Sequence, residues 1–391
     1  MQLMLRRFSS LTILSIGTLL PGLASGRDGP SRYAVTKLGS LGGTSSSGNS
    51  LNDLGLAAGT SNLPGDTTQH ATAWLGSLLF DLGTLGGPNS GILWPVKNDQ
   101  GILSGIAETD RDQPLGESWS CSAFFPSRSG KICLGVVWED GHPRALPTLG
   151  GDNGFATGTN NRRQTVGWAE NTVRDPTCVG SQVLQFRATI WGPGKDQLVE
   201  LPPLPRDTVS AATAINDGGQ VVGISGICDR AVGRFSAAHA VLWDRGVAVD
   251  LGTLGGVAWN TPMAINESGV VVGFGNVSAA DGGAFKAHAF LWTRQNGIRD
   301  LGTLPGDSLS EALGINGHGQ VVGLSCTAGF ASCRGFLWED DVMTDLNSLV
   351  DPAFGEQIVV AGDIDDRGRI TGQSFDATTN VSSAFLAVPH R

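Results

Sequence analysis

The chain is short of charge, at 16% Asp, Glu, Lys and Arg, and it holds one Tyr and four Met in 391 residues. It is shorter still of basic residues, with 26 Lys and Arg against 36 Asp and Glu. That balance excludes the polyanion binders, nucleic acid and anionic membrane surfaces alike. No window carries apolar residues at the spacing of an amphipathic helix outside the extreme N-terminus, so helical fold classes are set aside. No apolar run is long enough to span a bilayer, the stretch at 8–20 falling short of the roughly 20 residues needed. Close Cys-x-x-Cys pairs and His clusters are missing too, which leaves no zinc site, and no metal or cofactor is expected.

What the chain has instead is a phrase repeated with small errors. Near His239 it reads His-Ala-x-Leu-Trp, then Asp-Leu-Gly-Thr-Leu-Gly-Gly, then Ala-Ile-Asn-x-x-Gly-x-Val-Val-Gly. The Trp recurs at Trp74, Trp138, Trp191, Trp243, Trp292 and Trp338, and Ala387 holds its place in a seventh copy. A repeat of roughly 50 residues with four short strands each is the signature of a propeller blade. Within a copy Val221 and Gly223 alternate with Val222 and Ile224, the period of a strand. The turn between first and second strands reads Asn-Asp-x-Gly or close to it, as in Asn216-Asp217-Gly218-Gly219, a type I turn with a bulge. Asn160-Asn161-Arg162-Arg163 breaks that rule, and a looser turn is expected there.

Counting strands closes the ring. Six units supply a fourth strand, at 78–85, 144–149, 199–204, 248–254, 298–304 and 342–349, while the seventh stops after its third. The orphan strand at 33–41 therefore completes the last blade, and no sheet edge is left open at either terminus. The expected fold is an all-β, seven-bladed propeller in one domain, 27–391, with repeats at about 33–74, 75–138, 139–191, 192–243, 244–292, 293–338 and 339–389. Gly, at 57 residues, is abundant because every blade needs tight turns.

Residues 1–26 read as an export signal: Arg6 and Arg7, the apolar stretch, then small residues around Ala24 and Gly26. Its removal leaves 24 basic residues against 36 acidic ones, a net charge near −12. A secreted or periplasmic, monomeric protein without a membrane span is expected. The six Cys all fall between second and third strands, in loops that share one face. Sequence alone permits 15 pairings; topology favours Cys121 with Cys133, Cys326 with Cys333, and Cys178 with Cys228 across neighbouring blades.

The phrases Ala287-His288-Ala289-Phe290-Leu291-Trp292, Asp300-Leu301-Gly302-Thr303-Leu304 and Gly314-Ile315-Asn316 with Val321-Val322-Gly323 resemble the HAF repeat of extracellular bacterial proteins. The resemblance runs from Tyr33 to Pro389 and implies an exported repeat protein, but it brings no activity and no site residues.

Recurrence also disposes of apparent chemistry. His70, His239 and His288 share a repeat position with Arg187 and Arg334, which marks blade packing rather than a ligand set. The Gly-Gly phrase lacks the Lys and the helix of a phosphate loop, and reads as a turn toward the next inner strand. The Asn-Asp-x-Gly turns offer too few oxygens for Ca²⁺.

Function is sought where the repeat breaks. Trp94, Phe155, Trp259, Asn260 and Glu311 are expected to ring one channel mouth, with Trp119 in the 107–137 insertion nearby. Aromatic rings beside acids and amides suit sugar binding, although Trp94 and Trp259 serve equally well as plugs. Two readings follow. One is a non-catalytic scaffold that binds a glycan or an extracellular protein through the face bearing the cysteines. The other is a polysaccharide hydrolase or lyase using Glu311 with Asp152 or Asp207, which requires two carboxyl groups roughly 5 to 9.5 Å apart.

Overall fold

The computed structural model describes residues 32–117, 121, 123–194, 197–230 and 233–390; the expected export signal and Trp119 lie outside the described residues. The described chain forms seven four-stranded antiparallel sheets, six of them running from the channel outward in chain order. The last sheet stacks Gln357–Ile364, Ile370–Asp376 and Val381–Pro389, and Tyr33–Lys37 joins as its outermost strand. Val35 pairs with Ala387 and Lys37 with Phe385, so the N-terminal strand closes the ring. Tyr33 is buried against Leu337, Leu346, Ile358 and Phe385, and Arg32 forms an ion pair with Glu339 of the preceding blade.

Sheets begin at the channel, whereas the repeat units counted from the sequence end at the Trp of a third strand. Repeat units therefore straddle neighbouring blades. The Trp do more than fill space. The indole N–H of Trp74, Trp138, Trp191 and Trp243 donates to the carbonyls of Gly39, Leu82, Pro147 and Pro202, each in the preceding blade's exit, at 2.7 to 2.9 Å.

The Val-Val-Gly phrase owes its Gly to the inner strand. That strand bulges opposite it, as between Ala312 and Gly314, and pushes a carbonyl toward the second strand. A Cβ on Gly323 would lie 1.9 Å from the Glu311 carbonyl oxygen, and one on Gly223 2.0 Å from that of Ala211. Only Gly fits there. In the Gly-Gly phrase, too, the second Gly is a matter of space as much as of turning: a Cβ on Gly256 would strike Asn276 at 2.3 Å, and one on Gly151 Glu170 at 2.6 Å. Blades that replace Gly-Gly with a Pro-containing exit carry Gly226 or Cys326 at the facing position, and there the Ser225 or Ser325 hydroxyl accepts from the N–H of Leu204 or Leu304.

The turn expected to be looser is not. Arg163 N–H donates to the Asn160 carbonyl and Asn160 N–H to that of Gln164, as in the copies at Asn52, Asn216, Asn266, Asn316 and Asp365, and Arg163 itself takes the left-handed position at φ 60°. What holds it is a clasp running round the axis. The side-chain amide of each turn Asn donates to the next blade: Asn52 to Asn98, Asn98 to Thr159, Asn160 to Asn216, Asn216 to Asn266, Asn266 to Asn316 and Asn316 to Asp365. Asp365 has no amide to give. Arg369, bonded to the Asp365 carboxylate, donates to the carbonyls of Asn52 and Asp53 and completes the circle.

The inner strand of the second blade is the irregular one. It is a strand only over Gly86–Gly91, with a register shift between Gly86 and Ser90, and the chain beyond it runs through Pro95, which has no N–H for a ladder.

Candidate functional site

The channel has two unlike mouths. The lower one is formed by the turns, and a second tier of the clasp makes it acidic. Backbone N–H groups of Asp53, Asp99, Asn161, Asp217, Gly317 and Asp366 donate to side-chain oxygens of Asp99, Asn161, Asp217, Glu267, Asp366 and Asp53 in the next blade. Gly317 has no side chain, so Glu267 finds no such acceptor and the tier breaks once. A cavity of about 150 Å³ lies among these groups. Burial holds Asp99 and Glu267 above the usual carboxylate range. Lys97 reaches in to pair with the buried Asp363 at 2.6 Å. These carboxylates are occupied by backbone donors, which makes the mouth a structural seam.

The upper mouth lies on the face of the disulfides, where first strands begin. All three expected bonds are present: Cys121–Cys133, Cys178–Cys228 between the third and fourth blades, and Cys326–Cys333. Glu108 sits with Cys121 and Cys133 at metal-ligand spacing, but both sulfurs are spent in a disulfide. The insertion in the second blade is docked by buried Glu117, which accepts from the N–H groups of Val183 and Leu184 in the third blade at 2.8 and 2.6 Å. Beside it Glu170 accepts from Asn153 and Gln182 and is pushed up to about 7, first by burial and then by the Glu117 charge.

Of the residues expected at this mouth, Trp94 and Phe155 are 1% and 0% exposed. Phe155 stacks on Trp168 at 4.4 Å, and Trp94 meets Phe155, Phe124 and Trp168 edge-on at 5.2 to 6.0 Å. These rings form a plug between the second and third blades, continuous with Met263 and Phe274. A ring packed on all sides has no face left for a sugar. Asn260 is buried as well and donates to the Ala238 carbonyl of the fourth blade at 2.7 Å.

Trp259 behaves differently. It is partly exposed, its indole N–H donates to the Gly283 carbonyl, and its ring meets Phe285 at 5.4 Å. Phe285 in turn meets Phe330 at 5.4 Å, and all three rings are only partly buried. Trp259 and Phe330 both stand in the left-handed region at φ 59°, a strained setting for bulky side chains. Phe330 is carried by the loop that Cys326–Cys333 closes. Sequence reasoning missed Phe285 and Phe330; both break the repeat, one in the loop before Ala287 and one between two cysteines.

Glu311 stands on the inner strand Leu309–Ile315, two residues from both Leu309 and Leu313, which pack with Phe285. It is 3% exposed, accepts no hydrogen bond from the described residues, and burial, the largest influence on it, pushes it up to about 7. No other carboxylate acts on it. Asp207 is engaged elsewhere, accepting from Ser225 Oγ at 2.6 Å, and Asp152 bears on Glu117. The three expected acids are thus not brought together as a pair. The repeat histidines take structural partners: His70 with Asp81, His239 with Asp250 and His288 with Asp300, at 2.8 to 3.2 Å within one blade.

No protein-family model and no curated protein matches this chain. Solved structures do. Pyrococcus horikoshii acylaminoacyl peptidase is similar at 10% identity and TM-score 0.49 over 87% of this chain and 51% of that one. A Lactobacillus plantarum protein is similar at 13% identity and TM-score 0.38 over 84% and 94%. Trypanosoma rangeli sialidase in complex with sialic acid is similar at 11% identity and TM-score 0.38 over 80% and 55%. The chain spans about half the length of the peptidase, and the likeness concerns the fold alone.

Proposed function

We propose that this chain is an exported, non-catalytic recognition scaffold, and that its ligand, a glycan or an extracellular protein, docks on the disulfide-bearing face at Trp259, Phe285 and Phe330. The observation that carries this reading is the strained aromatic pair. A left-handed backbone at a bulky residue costs on the order of 1 to 2 kcal/mol, and it persists only where the surroundings impose it. Here it brings two rings onto Phe285 without burying any of the three. Rigid, part-exposed aromatics, one of them on a stapled loop, are what a recognition surface needs, since little entropy is lost on docking. Three disulfides suit an oxidising compartment, and the sequence resemblance to exported HAF-repeat proteins agrees with it.

The hydrolase reading rests on Glu311 alone, because a buried acid near neutrality is a fit general acid. It lacks its second carboxylate. Incubating the oxidised protein with soluble polysaccharides and with extracellular protein fractions tests both readings. Retention that Trp259→Ala abolishes, with no new reducing or unsaturated ends, is the expected result; product formation that Glu311→Gln abolishes would overturn it.

A further inference from the structure

We infer that the lower face carries a second site, a cleft between the second and third blades that takes a small carboxylic acid with an apolar body, its carboxylate held by Arg144. The cleft lies on the face opposite Trp259, Phe285 and Phe330, so it stands apart from the scaffold reading above.

The fifth and sixth blades contain the same arrangement complete. Arg299, on the outermost strand of the fifth blade, pairs across the ladder with Leu291, the residue before the repeat Trp292. Its guanidinium lies 5.7 Å from the ring centre of Trp338 in the sixth blade and donates to the Asp341 carboxylate at 2.7 Å. Asp341 stands three residues after that Trp, in the hairpin that follows it. An indole face and a carboxylate together hold the guanidinium charge.

The second and third blades repeat this with one part missing. Arg144 pairs with Val137, the residue before Trp138, and so takes the place of Arg299. Trp191 takes the place of Trp338, and three residues after it stands Gly194, which has no carboxylate to offer. Arg144 has no hydrogen-bond or ion-pair partner among the described residues. A cavity of about 260 Å³ lies here instead, lined by Arg144, Trp191 and Gly194 alike. The missing group is therefore an acid from outside the chain.

The rest of the lining sets the body that carries the acid. Ile102, Val137, Leu146 and Trp191 make an apolar floor. Its polar atoms are already engaged: the Trp191 N–H donates to the Pro147 carbonyl, and the hydroxyls of Thr159 and Thr165 bond each other at 2.9 Å. A sugar would find few free partners there, whereas an apolar body gains by leaving water. Arg163, standing where the six other turns have Gly, pairs with Glu139 at the rim and neutralises it. One cation is left over in a chain of net charge −10, and a carboxylate meets attraction without repulsion. Since a cavity of about 150 Å³ admits benzene, this one has room for a ring and a short acid chain.

The test titrates the oxidised protein with 3-phenylpropionate, its neutral amide, 3-phenylpropylamine and acetate, by calorimetry at pH 7. 3-Phenylpropionate should bind at least tenfold tighter than the other three. Arg144→Gln should weaken it at least tenfold. Gly194→Asp, which restores the carboxylate of the fifth and sixth blades, should do the same by pairing with Arg144; a Cβ there meets only the flexible Gln197 side chain, at 3.3 Å, and thermal melting shows that both variants fold. Arg299→Gln should leave the affinity unchanged. Equal binding of the amide or of acetate, tighter binding of the amine, no binding of any of the four, indifference to Arg144→Gln or Gly194→Asp in folded variants, or an equal loss in Arg299→Gln would overturn the site.

Discussion

Arg369 Nη2 lies 3.0 Å from the Asp53 carbonyl oxygen and 3.4 Å from that of Asn52, and so takes the place of an amide that Asp365 cannot provide. Six blades grip their neighbour with an Asn; the seventh uses an Asp and an Arg. Replacing Arg369 with Ala should cost about 1 to 3 kcal/mol, because the Asp53 carbonyl loses its donor, that of Asn52 keeps only the Gly55 N–H, and the buried Asp365 carboxylate loses its ion pair. The double variant Asp365→Asn, Arg369→Ala should recover most of that loss, since the introduced side-chain amide can donate as those of the other six blades do. Urea unfolding of the three proteins decides it, and a double variant no more stable than Arg369→Ala would show that the clasp does not close through this residue.

Acid should stabilise this protein over a range in which most proteins are indifferent. Glu170 and Glu311 are each raised from 4.5 to about 7 by burial, so the folded state keeps protons that the unfolded chain has released. The stability is complete below about pH 4.5 and is lost as pH rises to about 7, by about 3 kcal/mol for each group if it acts alone. Glu170→Gln should remove about half of the slope. Denaturant midpoints at pH 5 and pH 8 measure this, and a midpoint that rises with pH would contradict the assignment.

The three disulfides should differ in weight. Cys178–Cys228 closes a separation of 50 residues and joins two blades, whereas Cys326–Cys333 closes only 7. In the chain-entropy model their loss costs about 4 and about 2.5 kcal/mol. Paired Cys→Ala variants followed by chemical denaturation give the order. Loss of Cys326–Cys333 should in addition release Phe330 and weaken ligand retention, which loss of Cys178–Cys228 should spare.

Glycines of equal appearance should behave unequally. Gly323→Ala places a methyl group 1.9 Å from the Glu311 carbonyl and should cost about 3 kcal/mol or more. Gly65, at φ 92° with open space around it, should lose only about 1 kcal/mol on the same change. Thermal melting separates the two.

The blades, the N-terminal strand and the disulfide pairs were legible because each follows from counting: fourth strands without a partner, cysteines confined to one loop class. The clasp was not legible, since a turn motif is read within four residues and its donors reach across a blade. The burial of Trp94 and Phe155 was hidden for a related reason. Bulges interrupt the alternation of inner strands, so register no longer tells which residue faces the channel and which faces a neighbouring ring. Glu311 was legible as an exception to the repeat, but its isolation from Asp152 and Asp207 depends on which blade each belongs to and on what already holds them.

Every Asn in the clasp points the same way round the axis. An open stack of repeats frays from its ends, each unit leaning only on its neighbours. Here there is no end from which to fray: a blade that loosens withdraws a donor from one side and an acceptor from the other, and the two gaps face each other across the same hole. The ring therefore tolerates no partial count, and its seventh member, part N-terminal and part C-terminal, is where completeness is enforced.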